Sequence, residues 1–224
     1  MQIQTRHAPS FAVARCTLAP RETLRAESGA MMATSAGVAV EARMEGGLMR
    51  SLRRGVLGGE SLFITTFTAP DAGGWVDVAA NLPGDVVERE VSGGALFIQR
   101  GSYLASEAGV EIDAKWGGFR NLFGGEGGFL IRAAGAGTVL LSCYGALDRL
   151  RLAPGESVVV DSGHMVAYDE GVQSTLRRVA STMQSLKSGE GLVFEFTGPG
   201  EVWTQSRNPS WLLDWIATGI GGRS

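Results

Sequence analysis

At 224 residues the chain is long enough to bury a substantial core, and no Pro/Ser-rich spacer or charge run divides it, so a single body over 1–224 is expected. A formal net charge of -3, from 20 basic and 23 acidic residues, supplies no concentrated basic surface, and nucleic acid is therefore not an expected partner. No apolar run reaches the ~18 residues that a membrane span needs, and the opening MQIQTRHAPSFAVARC is too polar for a secretory signal, so a cytoplasmic protein is expected.

Thirty-three glycines, about twice the usual share of roughly 7%, sit mostly in pairs between short apolar runs, which implies many tight turns and short strands. Phe11 to Leu18 alternates between apolar and polar residues, as a half-buried strand does. It runs into LAPRETLRAESGAMMA, Leu18 to Ala33. Gly37 to Met44 alternates again, and the small cluster Arg50, Arg53 and Arg54 reads as a solvated turn or helix face. GGESLFITTFTAP from Gly58 follows, with strands expected over Leu62 to Phe67 and Trp75 to Ala79. LPGDVVEREV from Leu82 and GSYLA from Gly101 read as a weaker copy of the Leu18 motif, and Val110 to Asp113 reads as a further strand. GGEGGFLIRAAGAG from Gly124 resembles the Gly58 motif, and Val139 to Tyr144 is an apolar strand.

LAPGESVVVDSGHMVA, Leu152 to Ala167, then repeats the first motif without a gap at an offset of 134, with eight of sixteen positions identical, Pro20/Pro154, Glu22/Glu156 and Gly29/Gly163 among them. Ser157 to Val160 and Met165 to Tyr168 are its strands. SGEGLVFEFTGPG from Ser188 closes the series, with a strand over Leu192 to Phe196. Two motifs thus alternate three times with a period near 65 residues, the signature of a repeat architecture. Because the chain begins in one motif and ends in the other, its termini are expected to complete one repeat. Phe11, Val13 and Leu18 would then pack near Val193, Phe194, Phe196 and Val202.

Turn chemistry refines this picture. Pro154-Gly155 suits the central positions of a type II turn, whereas Arg21 in place of the glycine favours a type I turn in the first copy. Short segments before each GE motif would form a helical turn or two. The clearest helix is the tail, about 208–218: Asn208 can cap it, Pro209 fits the first turn, and Trp211, Leu212, Trp215 and Ile216 fall on one face. That face, with Trp211, Trp215 and Ile216, is the expected interface, packed on the β body or on a neighbouring protomer.

On LAPGESVVVDSGHMVAYDEGV, LPGDVVEREVSGGALFIQRGSYLASEAGVEID, FGGEGGFL and FTGPGEVW, the sequence resembles a family named after a fungal "altered inheritance of mitochondria" (AIM-type) protein and catalogued as being of unknown function. The resemblance covers nearly the whole chain. It implies an all-β fold of three pseudo-repeats, each similar to the tryptophan RNA-binding attenuation protein (TRAP-like), a short double-stranded β-helix, and it implies a homotrimer. It brings no activity, no catalytic residue and no cofactor.

The candidate chemistry is thin. Glu60, Glu126 and Glu190 hold equivalent places in the second motif, so a pseudo-threefold arrangement would gather three carboxylates able to take a cation; alternatively each accepts backbone N–H groups in its own glycine turn. A cupin-like metal site is echoed by His164 and Glu170, but position 166 is Val, the HxH pair is absent, and His7 is the only other histidine. Ser162 and His164 would share a strand face, yet the first copy has Ser28 without a histidine. Cys16 and Cys143 read as buried structural thiols. The sequence therefore points to a non-catalytic, oligomeric binding or scaffold protein, with a partner protein, a small ligand or peripheral membrane contact open, and with a cupin-like enzyme or a nucleic-acid-binding ring as the alternatives.

Overall fold

The computed structural model describes residues 1–44, 63–113, 130–178 and 192–221. The short alternating runs between glycines form antiparallel strands. In chain order they are β1 (Gln2–Arg6), β2 (Val13–Leu18), β3 (Thr23–Glu27), β4 (Met31–Thr34), β5 (Ala39–Met44), β6 (Phe63–Thr68) and β7 (Gly74–Ala79), then β8 (Val86–Ser92), β9 (Leu96–Gln99), β10 (Tyr103–Glu107), β11 (Val110–Asp113) and β12 (Leu130–Ser142). The last group is β13 (Leu147–Leu152), β14 (Ser157–Asp161), β15 (Met165–Asp169), β16 (Gln173–Arg178), β17 (Leu192–Thr197) and β18 (Gly200–Gln205). One helix, α1 (Pro209–Gly221), closes the described chain. The fold is all-β with a short C-terminal helix.

Register shows why the motif residues recur. β4 runs along β7 with a shift between Met31 and Ala33, β10 along β12 with a shift between Tyr103 and Ala105, and β15 along β18 with a shift between Met165 and Ala167. A bulge of this kind bends a strand and strengthens its twist, and it sits two residues beyond Gly29, Gly101 and Gly163. β2·β7, β8·β12 and β13·β18 pair in one pattern, and so do β3·β6, β9·β12 and β14·β17. β12 takes part in both because Gly135 (φ +108°) and Gly137 (φ +144°) bend one continuous strand where β6–β7 and β17–β18 are separate strands. At Gly135 a Cβ would meet the Gly109 carbonyl oxygen at 2.4 Å, so only glycine fits there.

Three expectations change. Leu82–Val91 is not a copy of the Leu18 motif: β8 pairs β12 as β2 pairs β7, so it is the strand that comes before the motif, and Pro83-Gly84 lies ahead of it. Pro-Gly-acid is a general turn signal, and its position relative to a strand is invisible in the letters. Arg21 has φ +59°, matching Gly155 at +79°, so the first copy makes the left-handed turn despite its side chain. In both turns the glutamate completes the loop: Glu22 N donates to Ala19 O and Glu156 N to Ala153 O, both at 3.0 Å, while Ala19 N and Ala153 N donate to the Glu22 and Glu156 carboxylates at 2.7 and 2.8 Å. Finally, β2 lies between β1 and β7, and Leu18 packs in a cluster with Leu24, Phe67 and Val76, whereas Phe194, Phe196 and Val202 pack with Tyr168 and Phe97. Of the expected contact between Phe11, Val13 and Leu18 and those C-terminal strands, the Leu18 part is replaced by packing with Leu24, Phe67 and Val76, and Phe11 is 68% exposed.

A third apolar cluster, around Ile98, Tyr103, Val139, Leu141, Val166 and Trp203, lies between these two. Full burial of side chains of this size contributes about 1.5–3 kcal/mol each. The one deeply buried carboxylate of the first sheet, Asp77, is 2% exposed and is held by Arg15 at 2.8 and 2.9 Å and by Arg6 at 2.9 Å. Arg15 also lies 4.0 Å over the Trp75 ring, where the ring face favours a cation.

Candidate interaction surface

α1 begins as its sequence dictates. The Asn208 side chain accepts the Ser210 N–H at 2.9 Å and its carbonyl accepts the Trp211 N–H at 3.2 Å, which satisfies two donors that the first helical turn leaves open. Asn208 is itself buried, and its amide donates to Asp161 at 3.4 Å. The cap thereby fixes the start of the helix against the end of β14. Gly163 makes this approach possible, since a Cβ there would meet the Asn208 amide at 2.1 Å.

Beyond the cap the helix stands away from its own β body. Trp211 is 54% exposed, Leu213 66%, Trp215 75% and Ile216 40%. The edge of Trp211 lies against His164, with ring centres 5.8 Å apart. Of the expected face, Leu212 is half-buried, while Trp211, Trp215 and Ile216 keep much of their surface exposed among the described residues. Isolated exposed apolar residues are ordinary, but a contiguous aromatic and aliphatic face marks a contact surface.

The other candidate groups are committed to structure. Ser162 and His164 lie in a 3-10 turn rather than on a strand, because the Asp161 carboxylate accepts the Gly163 N–H at 2.9 Å and starts the turn. His164 Nδ1 is 2.7 Å from the Gln205 carbonyl oxygen. Glu170 accepts the Ala95 N–H at 3.0 Å and faces Arg132 at 3.4 Å. Glu170 and Ala95 border a groove of about 680 Å³ with Arg89 and Asp169. There Arg89 donates to Asp169 at 3.0 Å, and the other Asp169 oxygen accepts the Glu201 N–H at 3.0 Å. Burial pushes the Glu201 carboxyl up, but contact with Arg149, the nearby Arg89 and Arg151 hold it below its ordinary range. These charges answer one another. Among the described residues no group of three or more His, Cys, Asp or Glu side chains is placed to hold a metal ion. Glu60, Glu126 and Glu190 lie outside the described residues, as do Arg50, Arg53 and Arg54 and the short helical turns expected before the GE motifs.

Cys16 and Cys143 are buried and unbridged. Burial pushes their thiols up to about 12 and about 11, the opposite of an activated nucleophile. No helix among the described residues is long and apolar enough to cross a membrane.

Residues 3–207 match the family model described as mitochondrial biogenesis AIM24. The chain belongs to the AIM24 family. The match runs from the second residue of β1 through β18 and stops just before Asn208. An uncharacterized protein of Streptococcus pyogenes serotype M6 is 31% identical over 165 residues, which is 73% of this AIM24-family chain and 66% of that protein. The crystal structure of a Streptococcus pyogenes protein superposes with a TM-score of 0.78 at 23% identity, covering 100% of this chain and 99% of the other. That likeness shows the fold alone.

Proposed function

We infer that this AIM24-family chain is a non-catalytic, oligomeric binding or scaffold protein of the cytoplasm, with the apolar face of α1 as part of its contact surface. The observation that carries this reading is the exposure, among the described residues, of Trp211, Trp215 and Ile216 on a helix whose start is capped by the buried Asn208. The recurring strand registers and bulges support a body of three fused TRAP-like repeats spanning the chain, and the family resemblance supports a homotrimer.

A neighbouring protomer is favoured over a lipid surface as the cover for α1. The helix itself carries no Lys or Arg and its one charged residue is Asp214, with Arg207 and Arg223 outside its two ends, whereas interfacial helices present basic residues along their polar face to anionic lipid. Mass photometry of the full chain and of a form lacking 209–224, with flotation on vesicles containing phosphatidylserine, tests the reading. The full chain is expected to be oligomeric and to stay off the vesicles. A monomeric full chain, or flotation that disappears with 209–224, overturns it.

A further inference from the structure

Among the described residues, two strand edges break a pattern that two internal junctions obey. β3 pairs β10 through Ala26↔Ala105, Arg25↔Ser106 and Leu24↔Glu107, and β9 pairs β15 through Ile98↔Ala167, Phe97↔Tyr168 and Leu96↔Asp169. Each junction joins a half-sheet ending in β3 or β9 to a half-sheet ending in β10 or β15: β5-β6-β3 meets β10-β12-β8, and β11-β12-β9 meets β15-β18-β13. Two half-sheets are left over. They are β14-β17-β16 and β1-β2-β7-β4, and among the described residues they belong to separate sheets.

β14 holds the place of β3 and β9. Glu27, Gln99 and Asp161 pair with Ile64, Leu130 and Val193 at the same point of each hairpin, and Gly29, Gly101 and Gly163 follow two residues later. β4 holds the place of β10 and β15, since Ala33, Ala105 and Ala167 each stand just past the bulge. Among the described residues these two edges have no strand alongside, and they correspond to the two halves of a third junction.

Their composition agrees. An edge strand that must stay single is guarded by charge or proline, and the outer edges are so guarded: Glu41 in β5, Glu88, Arg89 and Glu90 in β8, Glu111 and Asp113 in β11, Asp148, Arg149 and Arg151 in β13. β4 reads MMAT and β14 reads SVVVD, with Asp161 at its end as the one charge in either. Met31, Met32 and Val159 are 43%, 59% and 51% exposed.

We propose that β14 of one copy pairs antiparallel with β4 of the next, head to tail, in the register Val160↔Ala33 and Val159↔Thr34 carried over from the two junctions inside the chain. The pairing deepens, and rests on, the homo-oligomer reading. It completes a third sheet, β1-β2-β7-β4 continued by β14-β17-β16. The two edges differ, so the interface is heterologous and closes a ring when its rotation completes a turn. α1 starts beside Asp161 at the end of β14, which sets Trp211 next to this junction.

The full chain with Thr34→Cys and the full chain with Val159→Cys are mixed, oxidised mildly and separated without reductant, with the buried native Cys16 and Cys143 left in place. Directly opposed strand residues lie within disulfide reach. A dimer containing one chain of each kind is expected in the mixture and in neither variant alone, while Thr34→Cys mixed with Asp161→Cys, two residues out of register, stays uncrosslinked. Mass photometry of the reduced variants verifies that each keeps the wild-type assembly. An oligomer that gives no mixed crosslink overturns this junction and leaves the oligomer reading intact. Crosslinking of either variant with itself shows a symmetric edge and also overturns it, and a monomeric wild-type chain overturns both readings.

Discussion

Arg21 shows most directly how one residue reads against its fold. At φ +59° it sits in a region that costs a side-chain-bearing residue about 1–2 kcal/mol, and its guanidinium forms an exposed pair with Asp71 at 2.6 and 3.1 Å. Such pairs contribute little. Arg21→Gly and Arg21→Ala both remove the pair and differ only in the backbone, so the glycine variant should exceed the alanine variant by about 1 kcal/mol in urea unfolding. Equal midpoints would show that the turn is not strained. Asp77 is the opposite case, a buried carboxylate whose guanidinium partner Arg15 holds its pKa below the ordinary value, with Arg6 adding to this against the effect of burial. A depressed pKa stabilises the fold above the unfolded value, about 3.9, and that stability is lost as pH falls through the lower, folded value. Asp77→Asn should cost about 2–4 kcal/mol at pH 7, because two arginines lose their countercharge. The loss should shrink as pH falls through the lowered folded value, where the wild-type carboxylate becomes protonated as well; a cost that does not vary with pH would remove the ion pair from the explanation.

Among the elements, β12 and α1 make contrasting demands. β12 serves two sheets only because it bends at Ala134-Gly135-Ala136-Gly137, and Gly135 faces the Gly109 carbonyl. Gly135→Ala should cost at least about 2 kcal/mol, from positive φ and a backbone clash together. Gly155→Ala has positive φ but nothing within 4 Å of a new Cβ, and should cost only about 1 kcal/mol. A smaller loss at Gly135 than at Gly155, measured by thermal unfolding, would contradict the close approach. Trp215 adds little to its own body, since it is 75% exposed. Trp215→Ala should leave the stability of a dissociated chain within about 0.5 kcal/mol and weaken the assembly, seen as oligomer dissociating at higher protein concentration. Loss of intrinsic stability without a change in assembly would place the tryptophan in the core instead.

At the scale of the whole molecule, association couples to stability. If β4 and β14 are satisfied only between copies, the melting temperature should rise with protein concentration, because binding that the unfolded chain does not share stabilises by mass action. A melting temperature constant over a hundredfold range, in an assembly seen to dissociate within it, would separate folding from edge pairing. The sequence by itself determined the all-β class, through alternation and paired glycines, and it determined the capped tail helix, because Asn208, Pro209 and the following apolar spacing act within one turn of chain. It also carried the kinship of Leu18–Ala33 with Leu152–Ala167, since both copies must build one turn, one glutamate lock and one bulge. Only the tertiary structure decided that Leu82–Val91 is a preceding strand, that Ser162–His164 is a turn, and that Leu18 packs in a different cluster from the C-terminal strands. Each of those depends on which strand lies alongside, and partner choice is set by contacts between residues as far apart as Arg89 and Asp169, which the local order of residues does not encode.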